Sequence, residues 1–140
     1  MMTDKDWRIA VIIDPSLGIG ELSNTVAVLS IGLGAAAPML AGSRLADGKG
    51  QSFHISANRP VPVLQASSED LQALVRKALA SQDDGFVVPF PRFARQLHAF
   101  ADYEASMAHR DIETELLDGV GLAGPAKWVR SLTGSLKLLR

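Results

Sequence analysis

The stretch Arg8-Ile9-Ala10-Val11-Ile12-Ile13-Asp14-Pro15-Ser16-Leu17-Gly18-Ile19-Gly20-Glu21 holds a strand, a turn and the start of a helix. Arg8 to Ile13 is a continuous β-branched run rather than an alternating one. Such a run reads as a strand buried on both faces, hence a central one in a parallel or mixed sheet. Asp14-Pro15-Ser16 is a turn signal that stops it. A loop with Gly18 and Gly20 follows, and a helix runs from about Glu21 to about Ala37. Its alanines and glycines suit close packing against the sheet.

Outward from this stretch the chain alternates. Arg44 to Gly50 is a polar loop with Asp47-Gly48-Lys49-Gly50 as its turn, and Ser52 to Ser56 is a short strand. Pro60 to Ala66 is a second strand, which Pro62 places at an edge or a strand start. Ser67 caps the next helix, with Asp70 three residues on in the manner of a capping box. Leu71, Leu74, Val75, Ala78 and Leu79 then form one apolar stripe at helical spacing, and Asp83-Asp84-Gly85 ends the helix. Phe86 to Pro91 is a third strand and Gln96 to Arg110 a helix. Leu116 to Leu122 is a fourth strand, weakened by Gly119 and Gly121. Pro125 introduces a short helix, Ala126 to Leu132, that Thr133-Gly134 ends. Leu136 to Leu139 is a last short strand. This order predicts one three-layer α/β/α domain over 1–140, with a mixed four-stranded sheet and Arg8–Ile13 at its centre.

Composition narrows the functional classes. The 140 residues carry 14 basic and 15 acidic side chains, a net charge of −1. That balance makes no electrostatic case for nucleic acid or an acidic membrane. The absence of cysteine excludes a Cys nucleophile, a disulfide framework and a Cys-ligated zinc site. The polar N-terminus shows no secretory leader. Leu22 to Ser43 has no charged side chain, yet Ser23, Asn24, Thr25, Ser30, Gly32, Gly34 and Pro38 interrupt it. It reads as a helix of a globular core rather than a membrane span, so a soluble, cytoplasmic protein is expected. A helix apolar on all sides is hard to bury in so small a domain, and a homodimer is expected from it.

Two stretches resemble the peptidyl-tRNA hydrolase type 2 fold. Gly18-Ile19-Gly20-Glu21-Leu22-Ser23-Asn24-Thr25 stands where that family has a Gly-x-Gly-Lys loop and a small-residue helix. Leu122-Ala123-Gly124-Pro125, and then Thr133-Gly134-Ser135-Leu136-Lys137-Leu138, stand where it has Ala-Ile-Gly-Pro and Thr-Gly-His-Leu-Lys-Leu. Within that superfamily the chain is most similar to the DUF2000 family, on Asn24, Asp47-Gly48 and Leu132-Thr133-Gly134. The resemblance implies a peptidyl-tRNA hydrolase type 2-like fold and a dimer. It does not carry the hydrolase's chemistry across. Glu21 stands at the family's loop Lys, Thr25 at its Gln and Ser135 at its His, and its Asp-Ala-Gly-x-Thr stretch has no counterpart between Phe86 and Leu116.

The residues that gather polar groups at the end of the first strand are Asp14, Ser16, Gly18, Gly20, Glu21 and Asn24. Gly18-x-Gly20 lacks the third glycine of a dinucleotide fingerprint and the Lys of a phosphate loop. Glu21 suits the helix dipole and repels phosphate. Asp14 and Glu21 make the expected pocket acidic, which favours a neutral or cationic small ligand, or as the weaker reading a metal ion, over a phosphate. Asn24 either braces the turn or lines the pocket. No cofactor and no metal site are identified, and whether catalysis occurs stays open. A helical His98 would face Asp102 at i+4, as a solvated pair. Lys127, Arg130, Lys137 and Arg140 form a basic C-terminal group that Arg92 and Arg95 approach in sequence-based expectation. The function expected is a non-hydrolase relative that binds a small ligand or a protein partner. The alternative is a peptidyl-tRNA hydrolase, or another RNA-linked hydrolase, with a rearranged site.

Overall fold

In the computed structural model, which describes residues 6–82 and 85–140, the sheet grows from the strand β1, Trp7–Ile13. Its neighbours are β6, Leu117–Pro125, and β4, Val63–Gln65. β5, Phe86–Pro91, and β7, Lys137–Leu138, form the edges, giving the order β5-β6-β1-β4-β7. β1 and β4 run parallel, and every other pair is antiparallel. The sheet therefore has five strands rather than the expected four, because the short terminal strand β7 pairs Leu138 with Leu64 and so joins it. The strand expected at Ser52–Ser56 stays outside. As β3, Ser52–His54, it pairs with β2, Arg44–Ala46, in a separate two-stranded hairpin.

Alternate residues of β1 feed two cores, as the period of two requires. Ile9, Val11 and Ile13 pack with Leu29, Leu33 and Leu40 on the face covered by α1, Ile19–Ala36. Ala10 and Ile12 pack with Leu71, Leu74, Val75 and Val129 on the opposite face. That face is covered by α2, Ser68–Ala80, and α4, Ala126–Thr133. Helices on both sides make three layers. Ser67 caps α2 by accepting a hydrogen bond from the Asp70 N–H at 3.2 Å. The proposed end of α2 at Asp83-Asp84 lies outside the described residues.

β6 reaches three residues beyond its expected end, and all nine of its residues are buried. The glycines that seemed to weaken it are what let α1 sit close. A Cβ at Gly119 would fall 2.8 Å from the Ile12 carbonyl oxygen, and one at Gly121 would fall 3.0 Å from Leu33 Cδ1. Trp128 of α4 lies over Gly85 and Gly124 in the same way, and donates from Nε1 to Ser81 Oγ at 3.0 Å. On the edge strand β5, Pro89 faces Val120. A proline has no N–H to give to a ladder, and it is tolerated here because β5 is an edge strand.

The helix expected over Gln96–Arg110 is shorter. Arg92–Gln96 forms a 3-10 turn, Leu97 and Ala99 are extended, and α3 runs Phe100–Met107. His98 thus lies ahead of the helix, and the expected i+4 pairing with Asp102 does not form. The cause is tertiary: Arg92 and Arg95 are held on β6 by ion pairs, which fixes the chain before α3 can start.

Candidate functional site

The candidate site is built where β1 ends. Asp14 closes the strand, and its backbone N–H donates to the Asp118 carbonyl at 3.0 Å. Its buried carboxylate then braces the turn: Oδ1 accepts from the Ser16 N–H at 2.9 Å and from Ser16 Oγ at 2.8 Å. Pro15 and Ser16 are exposed, and Gly18 stands at the N-cap of α1 in extended conformation, with no side-chain cap. The helix begins at Ile19, two residues earlier than expected, so Gly20 and Glu21 both lie in its first turn.

Three residues that sequence reasoning did not place here complete the site. Asp118, the second residue of β6, is fully buried. Arg92 donates from Nε to Asp118 Oδ1 at 3.0 Å and from Nη2 to Asp14 Oδ2 at 3.0 Å. Arg95 grips Asp118 with two hydrogen bonds, Nε to Oδ2 at 2.7 Å and Nη2 to Oδ1 at 3.1 Å. Its Nη1 reaches out to Glu21. The five side chains form one chain of pairs, Asp14–Arg92–Asp118–Arg95–Glu21, running from the core to the surface. The hydrogen bonds to Asp118 hold the Arg95 guanidinium above its ordinary pKa, against the opposing cost of desolvation.

Charge-assisted and bidentate geometry of this kind fixes position strongly. A buried carboxylate needs such partners, since an unpaired one would cost several kcal/mol. The arginines also alter the expected electrostatics. Three carboxylates now meet two guanidiniums, so the cluster keeps a single excess negative charge instead of two. Arg92 and Arg95 are spent on these carboxylates and do not extend the basic group of Lys127 and Arg130. That group belongs to α4, at the far end of β6.

Asp14, Ser16 and Glu21 are thus brought into one hydrogen-bonded unit with Gly18 and Gly20 as the intervening backbone. Asn24 is not. It is exposed on α1 and its side chain makes no hydrogen bond among the described residues, so it does not brace the turn. The bond that secures the first turns of α1 is made by its neighbour: buried Thr25 donates from Oγ1 to the Glu21 carbonyl at 2.7 Å. β6 runs antiparallel to β1, and this brings Asp118 beside the end of β1. Surface cavities of about 190 to 650 Å³ lie among the described residues. The one that begins at Pro15 is about 260 Å³ and continues over Gln65, Ser67 and Lys137. Among the described residues no three metal-ligating side chains gather.

Asp118 was legible only as a strand residue, and Arg92 and Arg95 only as surface charge. The one signal available was a lone acid in an otherwise apolar strand, which must find a cation.

The structure is similar to that of the protein of unknown function Atu0240 from Agrobacterium tumefaciens str. C58. The TM-score is 0.85 over 95% of this chain and 97% of that one, at 23% sequence identity, a likeness that speaks to fold alone. No curated protein matches the chain. Residues 7–140, from the first residue of β1 to the C-terminal residue, match the sequence profile of a family described as "Protein of unknown function (DUF2000)". With that match across every strand and helix, the chain belongs to the DUF2000 family.

Proposed function

We propose that this protein is a non-hydrolase member of its superfamily that binds a small neutral or cationic ligand beside the β1–α1 junction. The observation that carries the reading is a fully paired, buried ion network with uncommitted polar groups above it. Asp118 and Asp14 are saturated by Arg92, Arg95 and Ser16. Glu21 is the outermost member, with its side chain 44% exposed, and it uses one carboxylate oxygen on Arg95. Its other oxygen and the Asn24 amide, one helical turn on, are free to meet a ligand. The excess negative charge of the cluster favours a cation or a neutral donor over a phosphate. The burial of Thr25, Leu29 and Leu33 of α1 against the sheet supports a soluble protein, and a cytoplasmic location is part of the same proposal.

The second reading, a peptidyl-tRNA hydrolase with a rearranged site, rests on the likeness of the Gly124-Pro125 and Thr133-Gly134 stretches to that fold. It has to manage with Glu21 where the loop Lys would stand. Two measurements separate the readings. Release of peptide from a model peptidyl-tRNA should be absent with the wild type, and sustained turnover would overturn the non-hydrolase reading. Thermal shift with spermidine and argininamide, against acetate and phosphate, should show stabilisation by the cations alone. Asn24→Ala should abolish that shift while leaving the melting temperature without ligand unchanged.

A further inference from the structure

We infer that the hollow between the first turns of α2 and the segment 135–137 binds an acidic α-amino acid. It lies where the chain parts at the carboxyl ends of the two parallel strands. After β1 the chain turns to α1 on one face of the sheet, and after β4 it turns to α2 on the other. Such a parting opens a crevice, and open α/β sheets bind small ligands there. Here the crevice runs from Pro15 past Gln65 to Ser67 and has a volume of about 260 Å³. A second hollow of about 190 Å³ adjoins it through the shared Asp70, Ser135 and Leu136, and reaches Lys77 over Leu74 and Leu132.

Three charges line this double hollow. Lys137 borders the first part, Lys77 the second, and Asp70 both. Among the described residues none of their side chains has an ion-pair or hydrogen-bond partner, so they do not satisfy one another either. The capping box leaves Asp70 over. Its N–H donates to Ser67 Oγ, but its carboxylate takes no bond from Ser67 in return. Lys77 stands seven residues on, about 10 Å along the helix. Helical side chains tilt towards the N-terminus, so Lys77 leans back towards Asp70.

The order of the charges selects the ligand. The hollow presents positive, negative and positive groups in turn. The matching partner presents a carboxylate, an ammonium and a second carboxylate, which is an acidic α-amino acid. Its α-carboxylate meets Lys137, its ammonium Asp70 and its side-chain carboxylate Lys77. A plain anion would face Asp70 between the lysines, and a plain cation would face two lysines. The Ser135 hydroxyl borders both parts and has no partner among the described residues, so it offers the ligand a further hydrogen bond. The hollow shares no lining residue with Glu21 and Asn24, so it stands or falls apart from the site at the β1–α1 junction.

The test is a titration of the isotope-labelled full chain with L-glutamate, followed by amide NMR shifts. Saturable shifts should appear at Ser67, Asp70 and Ser135, and none at Glu21 or Asn24. Asp70→Asn, Lys77→Met and Lys137→Met should each weaken binding roughly fivefold, the upper scale of one exposed ion pair. Glu69→Gln makes the same kind of change in the same helical turn but outside the hollow, and should leave binding unchanged. All four side chains are exposed, so the fold tolerates the substitutions. L-Leucine, without the second carboxylate, should bind more weakly and be indifferent to Lys77→Met. Glutarate, without the ammonium, should also bind more weakly. Glutarate binding as tightly as L-glutamate would reduce the hollow to two lysines and overturn the inference. So would affinity unchanged in all three charge variants, or shifts confined to Glu21 and Asn24. Absence of saturable shifts up to about 10 mM, beyond the range of weak specific binding, would overturn it as well.

Discussion

Asp118 is buried without any access to water, and its carboxylate accepts three hydrogen bonds that no local pattern announces. Its partners come from a 3-10 turn more than twenty residues upstream. Replacing it with asparagine removes the charge that both guanidiniums face. Arg92 and Arg95 keep side-chain exposures of 36% and 23%, so water softens the loss. We expect Asp118→Asn to cost about 3 kcal/mol in urea denaturation, the low end for breaking a buried pair. A cost under 1 kcal/mol would show that the network is not what holds Arg92–Gln96 on the sheet. Asp14 was legible as the turn residue it is, since an acid before Pro-Ser accepts from the N–H two residues on. Its second role, on Arg92, depends on a residue distant in sequence and so left no mark.

Elements were legible where one stretch of chain decides its own conformation. β5 runs Phe86–Pro91 as read, because prolines stop it, and α2 begins after Ser67 as its cap dictates. α3 was overestimated because Gln96–Arg110 has helical composition, while ion pairs pin its first turn elsewhere. β6 was underestimated because glycine lowers strand propensity, and here close approach of α1 outweighs propensity. That distinction is measurable. Gly119→Ala would set a methyl against a backbone carbonyl and two core side chains. It should lose about 1–3 kcal/mol, as overpacked cores do. Gly20→Ala in the exposed first turn of α1 meets nothing within 4 Å. It should gain about 0.5–1 kcal/mol through helix propensity. Equal effects in chemical denaturation would remove the packing explanation for the β6 glycines.

At the scale of the molecule, the layers and the central position of β1 followed from the alternation of elements. The strand count did not, since β7 is two residues long and gains its place by pairing with β4. The fold also sets a limit on alkaline stability. Tyr103, the single tyrosine, is half-buried between Phe93 and Phe100, and burial raises its phenol above the ordinary 10.0. The protonated form is therefore the one the folded state prefers. The corresponding stability is complete below about pH 10 and is lost as pH climbs through the raised folded value. Absorbance titration at the phenolate band should show a midpoint above that of the urea-unfolded chain. Coincident midpoints would mean that the ring is solvated.

The pairing of β1 with β6 joins Trp7 to Pro125 and Ile13 to Gly119. The paired residues stand 106 to 118 positions apart along the chain. At ~5–20 residues per second, roughly 5–20 s separate their synthesis, and only afterwards does the centre of the sheet exist. Until then β1 has its parallel neighbour β4 and lacks its antiparallel one. Contacts this distant along the chain also slow closure of the finished polypeptide. Yield in the cell is therefore governed by how well the nascent chain is shielded during those seconds, and a slower ribosome prolongs the exposure without altering the native state at all.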